Sequence, residues 1–202
     1  MNRGQVHTLE AFVAALLLVG GLIFATQATA VTPLSASTSN QHIENQQRAV
    51  ATDLLAVTHE DGSLEEALLF WNDTEDGFAY TGENRQFYTD DPPEEYAHPL
   101  ADPLSEAFGG TQVAYNIDLI YQNSEDPANT SEQELVEMGS PSDNAVVASR
   151  TVVLFDGNGV SAGDNEGTAL SELEDGEFYA PNVDEDGELY NVVEVRITVW
   201  RM

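Results

Sequence analysis

The residues best suited to chemistry by type and spacing lie near the carboxyl end. Asn182-Val183-Asp184-Glu185-Asp186-Gly187 reproduces the first six positions of an EF-hand calcium loop, with asparagine in first place. The twelfth position, which must supply a bidentate carboxylate, is Val193 in a strand-like stretch. The segment therefore reads as an acidic turn, with Asp184 and Asp186 as its cation candidates and no metal site expected. Asp156-Gly157-Asn158-Gly159 is a second acidic turn, with Asp164 and Glu166 nearby. Histidines stand at 7, 42, 59 and 98, with no two at metal-ligand spacing. The G-x-S-x-G elbow, the G-x-x-x-x-G-K-[ST] phosphate loop and the G-x-G-x-x-G fingerprint are all absent from the sequence. No catalytic residue, cofactor or enzymatic activity is expected. Two sequons, Asn72-Asp73-Thr74 and Asn129-Thr130-Ser131, lie in expected loops, where a glycan could be accommodated, and make Asn72 and Asn129 the candidate acceptors of a glycoprotein.

Composition narrows the function further. The chain has 202 residues, 36 of them acidic; its six strong bases are all arginine, and the formal net charge is -30. Arg3 and Glu10 cancel, so the whole excess lies beyond residue 31. Nothing here neutralises a run of phosphates, which excludes nucleic acid as a partner. The lack of cysteine removes disulfides, thiolate metal sites and a thiol nucleophile together. A fold this acidic repels itself in dilute salt. At molar salt the screening length shrinks from roughly 10 Å to about 3 Å, and the carboxylates then serve solubility. The absence of lysine beside abundant Asp, Glu and Thr resembles the proteins of haloarchaea.

From Ala11 to Val31 no residue is charged, and as a helix those 21 residues would measure roughly 30 Å, the thickness of a bilayer core. The only base ahead of it is Arg3. The expectation is a single-pass helix with its amino end in the cytoplasm and the acidic part outside the cell membrane. The junction Arg3-Gly4-Gln5, followed within a few residues by the apolar run, resembles the class III signal of archaeal type IV pilins; the resemblance covers about residues 3–31. It implies cleavage between Gly4 and Gln5 by a membrane-embedded prepilin peptidase, with the apolar helix retained. It also implies membrane lipid and other pilin-like subunits as partners, and a place in a pilus. In bacterial type IV pilins a glutamate at the fifth mature position pairs with a neighbour's new amino terminus. Glu10 would be sixth, one position out of that register. Gly20 and Gly21 are small enough to let sister helices approach closely. The function implied is a membrane-inserted, surface-exposed pilin-like subunit, minor or accessory, of a type IV pilus-like filament. Two alternatives stay open: an anchored extracellular binding module that never polymerises, and a secreted protein cut after Ala30 at the A-x-A pattern Ala28-Thr29-Ala30.

The elements that would position these residues divide the chain into a leader (1–4), a transmembrane or filament-core helix (5–31), an amphipathic extension (32–62) and an acidic head (63–202). Pro33 either kinks one continuous helix or starts a second. Ile43, Val50, Leu54 and Val57 form one stripe of a helix closed by Asp61-Gly62. Ser63 with Glu66 predicts a capping box opening a short helix through Trp71. Residues 72–101, with Pro92-Pro93, read as an irregular loop, and Asp102-Pro103 as a helix start ended by Gly109-Gly110. Alternation predicts strands over Val113–Tyr121 and Tyr190–Trp200. Ala145–Phe155, apolar on both faces at its end, reads as the central strand. Ser131 and Glu134 suggest a capped helix reaching Met138, and 168–173 a turn of helix. The expected fold is α+β: a long helix, transmembrane in its first half and amphipathic in its second, on an antiparallel sheet of about three strands.

Overall fold

The computed structural model describes residues 3–29, 32–74, 76–79, 98–109, 112–124 and 128–202. Two compact units, Met1–Ile43 and Glu44–Met202, make up the chain. The elements are helices α1 (Arg3–Thr29) and α2 (Thr32–Asp61), α3 (Ser63–Leu68), strands β1 (Trp71–Asn72) and β2 (Gly77–Phe78), α4 (Ala101–Phe108), β3 (Val113–Gln122), β4 (Thr130–Glu137), β5 (Val146–Phe155), a 3-10 turn at Leu170–Glu172, and β6 (Leu189–Arg201). The fold is α+β with two antiparallel sheets. One is the β1–β2 ribbon; the other has four strands in the order β4-β3-β6-β5.

In the first unit, the side chains of α1 from Leu9 to Phe24 point into open space, Leu17, Leu18 and Phe24 being more than 70 % exposed. No helix among the described residues is long and apolar enough to cross a membrane. That overturns the expected transmembrane half. Pro33 sits in the first turn of α2, where its missing N–H costs nothing.

The core of the second unit lies on one face of the four-stranded sheet. Val193, Val195, Ile197 and Val199 of β6 are fully buried and join Ile117 and Leu119 of β3 and Val152 and Leu154 of β5. Against them pack Ala51 and Leu55 of α2, Leu64 and Leu68 of α3, and Leu104 and Phe108 of α4. The buried face of α2 is thus turned from the expected stripe: Ala51, Leu55 and Thr58 point inward while Val57 is 60 % exposed. Counting only large apolar residues hid the alanine and threonine positions of that face.

Four further expectations are corrected. The sheet has four strands rather than about three, because 130–137 pairs with β3 as β4 instead of forming a helix. A register shift opposite Ile117/Asp118 sets Leu135 and Val136 side by side as buried neighbours, which breaks the period of two. β5 is an edge strand, and β3 and β6 are the central pair. The Ser63 capping box does not form. Gly62, at φ 88°, turns the chain, and the Asp61 carboxylate accepts from both Ser63 N–H and Ser63 Oγ at 2.9 and 2.6 Å. α3 stops at Leu68, so Trp71 belongs to β1. Most of the expected 72–101 loop, with Pro92-Pro93, lies outside the described residues, as do Ala30 and Gly110.

Candidate functional site

The surface of α1 is the first candidate. Arg3, Gly4 and Gln5 form its first turn, so the junction is helical backbone from its first described residue. His7 Nδ1 lies 3.7 Å from Glu10 Oε2, one turn apart, with both side chains largely exposed. A Cβ placed on Gly20 or Gly21 meets nothing within 4 Å. That leaves a smooth, open segment in the middle of the apolar run, suited to close helix contact. A helix apolar on all sides is stable in water only when something else covers it.

The second candidate is an acidic cleft of about 620 Å³ in the head, lined among others by Asp156, Glu174, Asp175, Tyr179, Glu185 and Tyr190. Tyr190 Oη donates to the Ala180 carbonyl at 2.9 Å. Burial, with Asp156 and Asp175 nearby, pushes its pKa up to about 12. Burial also holds Tyr179 well above the ordinary phenol range. Tyr179 stacks at 5.4 Å on Trp71 and on Phe78, at 4.3 Å on Phe178 and at 5.5 Å on Tyr121. Phenols held protonated in this way serve as packing, not as bases. Ser124 and Ser171 share the cleft with the carboxylates of Asp156, Glu174, Asp175 and Glu185.

The predicted cation residues are not brought together. Asp184 N–H and Gly187 N–H are spent on tight turns, donating to Asn182 Oδ1 at 2.9 Å and to the Asp184 carbonyl at 3.0 Å. Asp156 Oδ1 accepts from Asn182 Nδ2 at 3.0 Å, while Asp164 Oδ2 accepts from Thr74 Oγ1 at 2.8 Å elsewhere. Among the described residues no group of three or more His, Asp or Glu is arranged to hold a metal ion. His98 is buried, its Nδ1 accepting from Leu100 N–H at 3.2 Å. Its ring stands edge-on to Phe70. Desolvation lowers its pKa to about 3, so it is a neutral core group at physiological pH.

The two sequons differ. Asn72 lies in β1 rather than in a loop, is half-buried, and accepts from Thr74 N–H at 3.1 Å. Gly163, at φ 76°, packs so tightly over it that an added Cβ would come within 2.9 Å of Asn72 Cα. Asn129 is exposed in the turn between β3 and β4.

Sequence reasoning missed two groups. Asn191 is a fully buried polar side chain on β6. The signal was available, because 191 shares the inward register of 193, 195, 197 and 199. The other is the aromatic cluster around Tyr179, whose members come from four separate segments and share no periodicity.

DUF7288, a family of unknown function, matches residues 3–199. No curated protein and no solved structure matches the chain.

Proposed function

We propose that this chain, which belongs to the DUF7288 family, is a pilin-like structural subunit of a surface filament. One observation carries the reading: α1 exposes Leu9, Phe12, Leu16, Leu17, Leu18, Leu22 and Phe24 together. Leaving so many large apolar side chains in water forfeits about 1.5–3 kcal/mol for each. Sister helices are the covering partner that the smooth Gly20-Gly21 segment favours. The head, which carries the whole excess of carboxylates, faces concentrated salt, as the surface of a halophilic archaeon would require.

The junction Arg3-Gly4-Gln5 is the processing site in this reading, with prepilin peptidase as the processing enzyme. Mass spectrometry of the amino-terminal peptide of the cell-associated protein tests the proposal. A mature chain beginning at Gln5 is expected; one beginning at Val31 would overturn it.

A further inference from the structure

We propose that β5 is a docking edge for β5 of a second copy, the two strands pairing antiparallel about a two-fold axis at Thr151 to join the two sheets into one. The inference concerns the head and does not rest on the filament reading.

Within the described sheet, β5 pairs with β6 on one side only, leaving the other side of a ten-residue strand as an unpaired row of backbone donors and acceptors. Native edges are normally blunted by proline, inward charges or short length. β5 is long and has no proline; of these devices it carries only Arg150, half-buried in the inward register, and residues 145–155 contain no carboxylate, in a chain with 36 of them. The head exposes few large apolar side chains, and three of them, Val147 (47 %), Val153 (38 %) and Phe155 (51 %), stand together on this strand.

Charge selects the partner. On the outer face of the sheet, Glu134 of β4 stands beside Asp118 of β3, Asp118 beside Arg196 of β6, and Arg196 beside Ser149 of β5. In the row through Glu132, Ile120, Glu194 and Thr151 the acids stand on β4 and β6, and β5 contributes the neutral Thr151 beside Glu194. β5 is thus the one strand of this sheet that adds no carboxylate of its own. Two molecules with a net charge of -30 approach with least repulsion where neither presents a carboxylate.

Register follows from the faces. Residues opposed across an antiparallel pair share a face. A two-fold axis at Arg150 would oppose two guanidinium groups. An axis at Thr151 opposes Thr151 to itself, Val153 to Ser149 and Phe155 to Val147. This covers all three exposed apolar side chains and makes threonine–threonine and aromatic–β-branched pairs, two of the stabilising cross-strand types. The ladder ends naturally at Phe155, whose N–H donates to Asn158 Oδ1 at 2.6 Å. One strand pair is a small interface, so the dimer is concentration-dependent.

Because the chain has no cysteine of its own, the test is direct. Thr151→Cys and, on the opposite edge, Thr130→Cys are each introduced into the full chain, held in mild detergent and molar KCl, and oxidised. Opposed residues of an antiparallel pair lie within disulfide reach. A covalent dimer is expected for Thr151→Cys and a monomer for Thr130→Cys; equal yields from the two would overturn the proposal. Light scattering of Thr151→Glu gives a second readout, with its melting midpoint as the check on folding. Weakening of self-association by about tenfold or more is expected, and unchanged association in a folded variant contradicts the β5 axis.

Discussion

The side-chain amide of Asn191 holds both backbone groups of Gln122, with Nδ2 donating to the Gln122 carbonyl at 3.0 Å and Oδ1 accepting from the Gln122 N–H at 3.1 Å. The backbone register between β3 and β6 stops at Tyr121 and Val193, so this side chain supplies the next rung. Its Nδ2 also donates to the Pro181 carbonyl at 2.8 Å, tying the acidic turn to the end of the sheet. Asn191→Leu keeps the volume roughly and strands these backbone groups in the core. A loss of about 3 kcal/mol is expected, since each buried unsatisfied group costs about 1–3 kcal/mol. Denaturant unfolding measures it.

Acid sensitivity should trace to His98. Its folded pKa of about 3 lies below the unfolded value of 6.5. Between those values the unfolded chain binds a proton that the folded chain refuses. Stability attributable to this group is therefore full above about pH 6.5 and falls, by up to ~1.4 kcal/mol per pH unit, as pH drops towards 3. His98→Gln should flatten the difference in urea midpoint between pH 7 and pH 5. Most carboxylates titrate alike in both proteins, so the comparison isolates the histidine.

Salt should stabilise the head. Its excess of carboxylates has few arginines to oppose it, and self-repulsion weakens as the screening length shortens. Raising KCl from dilute to molar concentration should lift the melting midpoint by about 10 °C, equivalent to roughly 3 kcal/mol for a domain of this size. A midpoint flat in salt would contradict a surface tuned to brine.

Of the two sequons, Asn129 is the accessible acceptor, whereas Asn72 is half-buried under Gly163 with its Oδ1 engaged. Glycopeptide analysis of protein from its native host should find a glycan on Asn129 and none on Asn72.

Much of the sheet was legible because the middles of β3 and β6 alternate: Tyr115, Ile117, Leu119 and Val193, Val195, Ile197 all point inward. β4 was not, because its bulge sets Leu135 beside Val136 and its Ser131–Glu134 spacing imitates a helix cap. The apolar end of β5 resembled a central strand, yet Val153 and Phe155 are exposed. A continuous apolar run normally records burial on both faces, but no element among the described residues covers the outer face of this strand. The start of α3 shows a similar ambiguity. Ser63 matches a cap in composition, but Gly62 at positive φ brings Asp61 into the capping role. For the candidate site, the apolar content of α1 was readable. The Tyr179 cluster depends on contacts distant in sequence.

The central claim is that α1 is covered by α1 of sister subunits. Ala15→Cys, placed in the exposed stretch of that helix in a chain without native cysteine, tests it by oxidation of intact cells. The account predicts a chain-to-chain disulfide within surface filaments. A cysteine that stays monomeric there, or a secreted protein that has lost its first thirty residues, would contradict it.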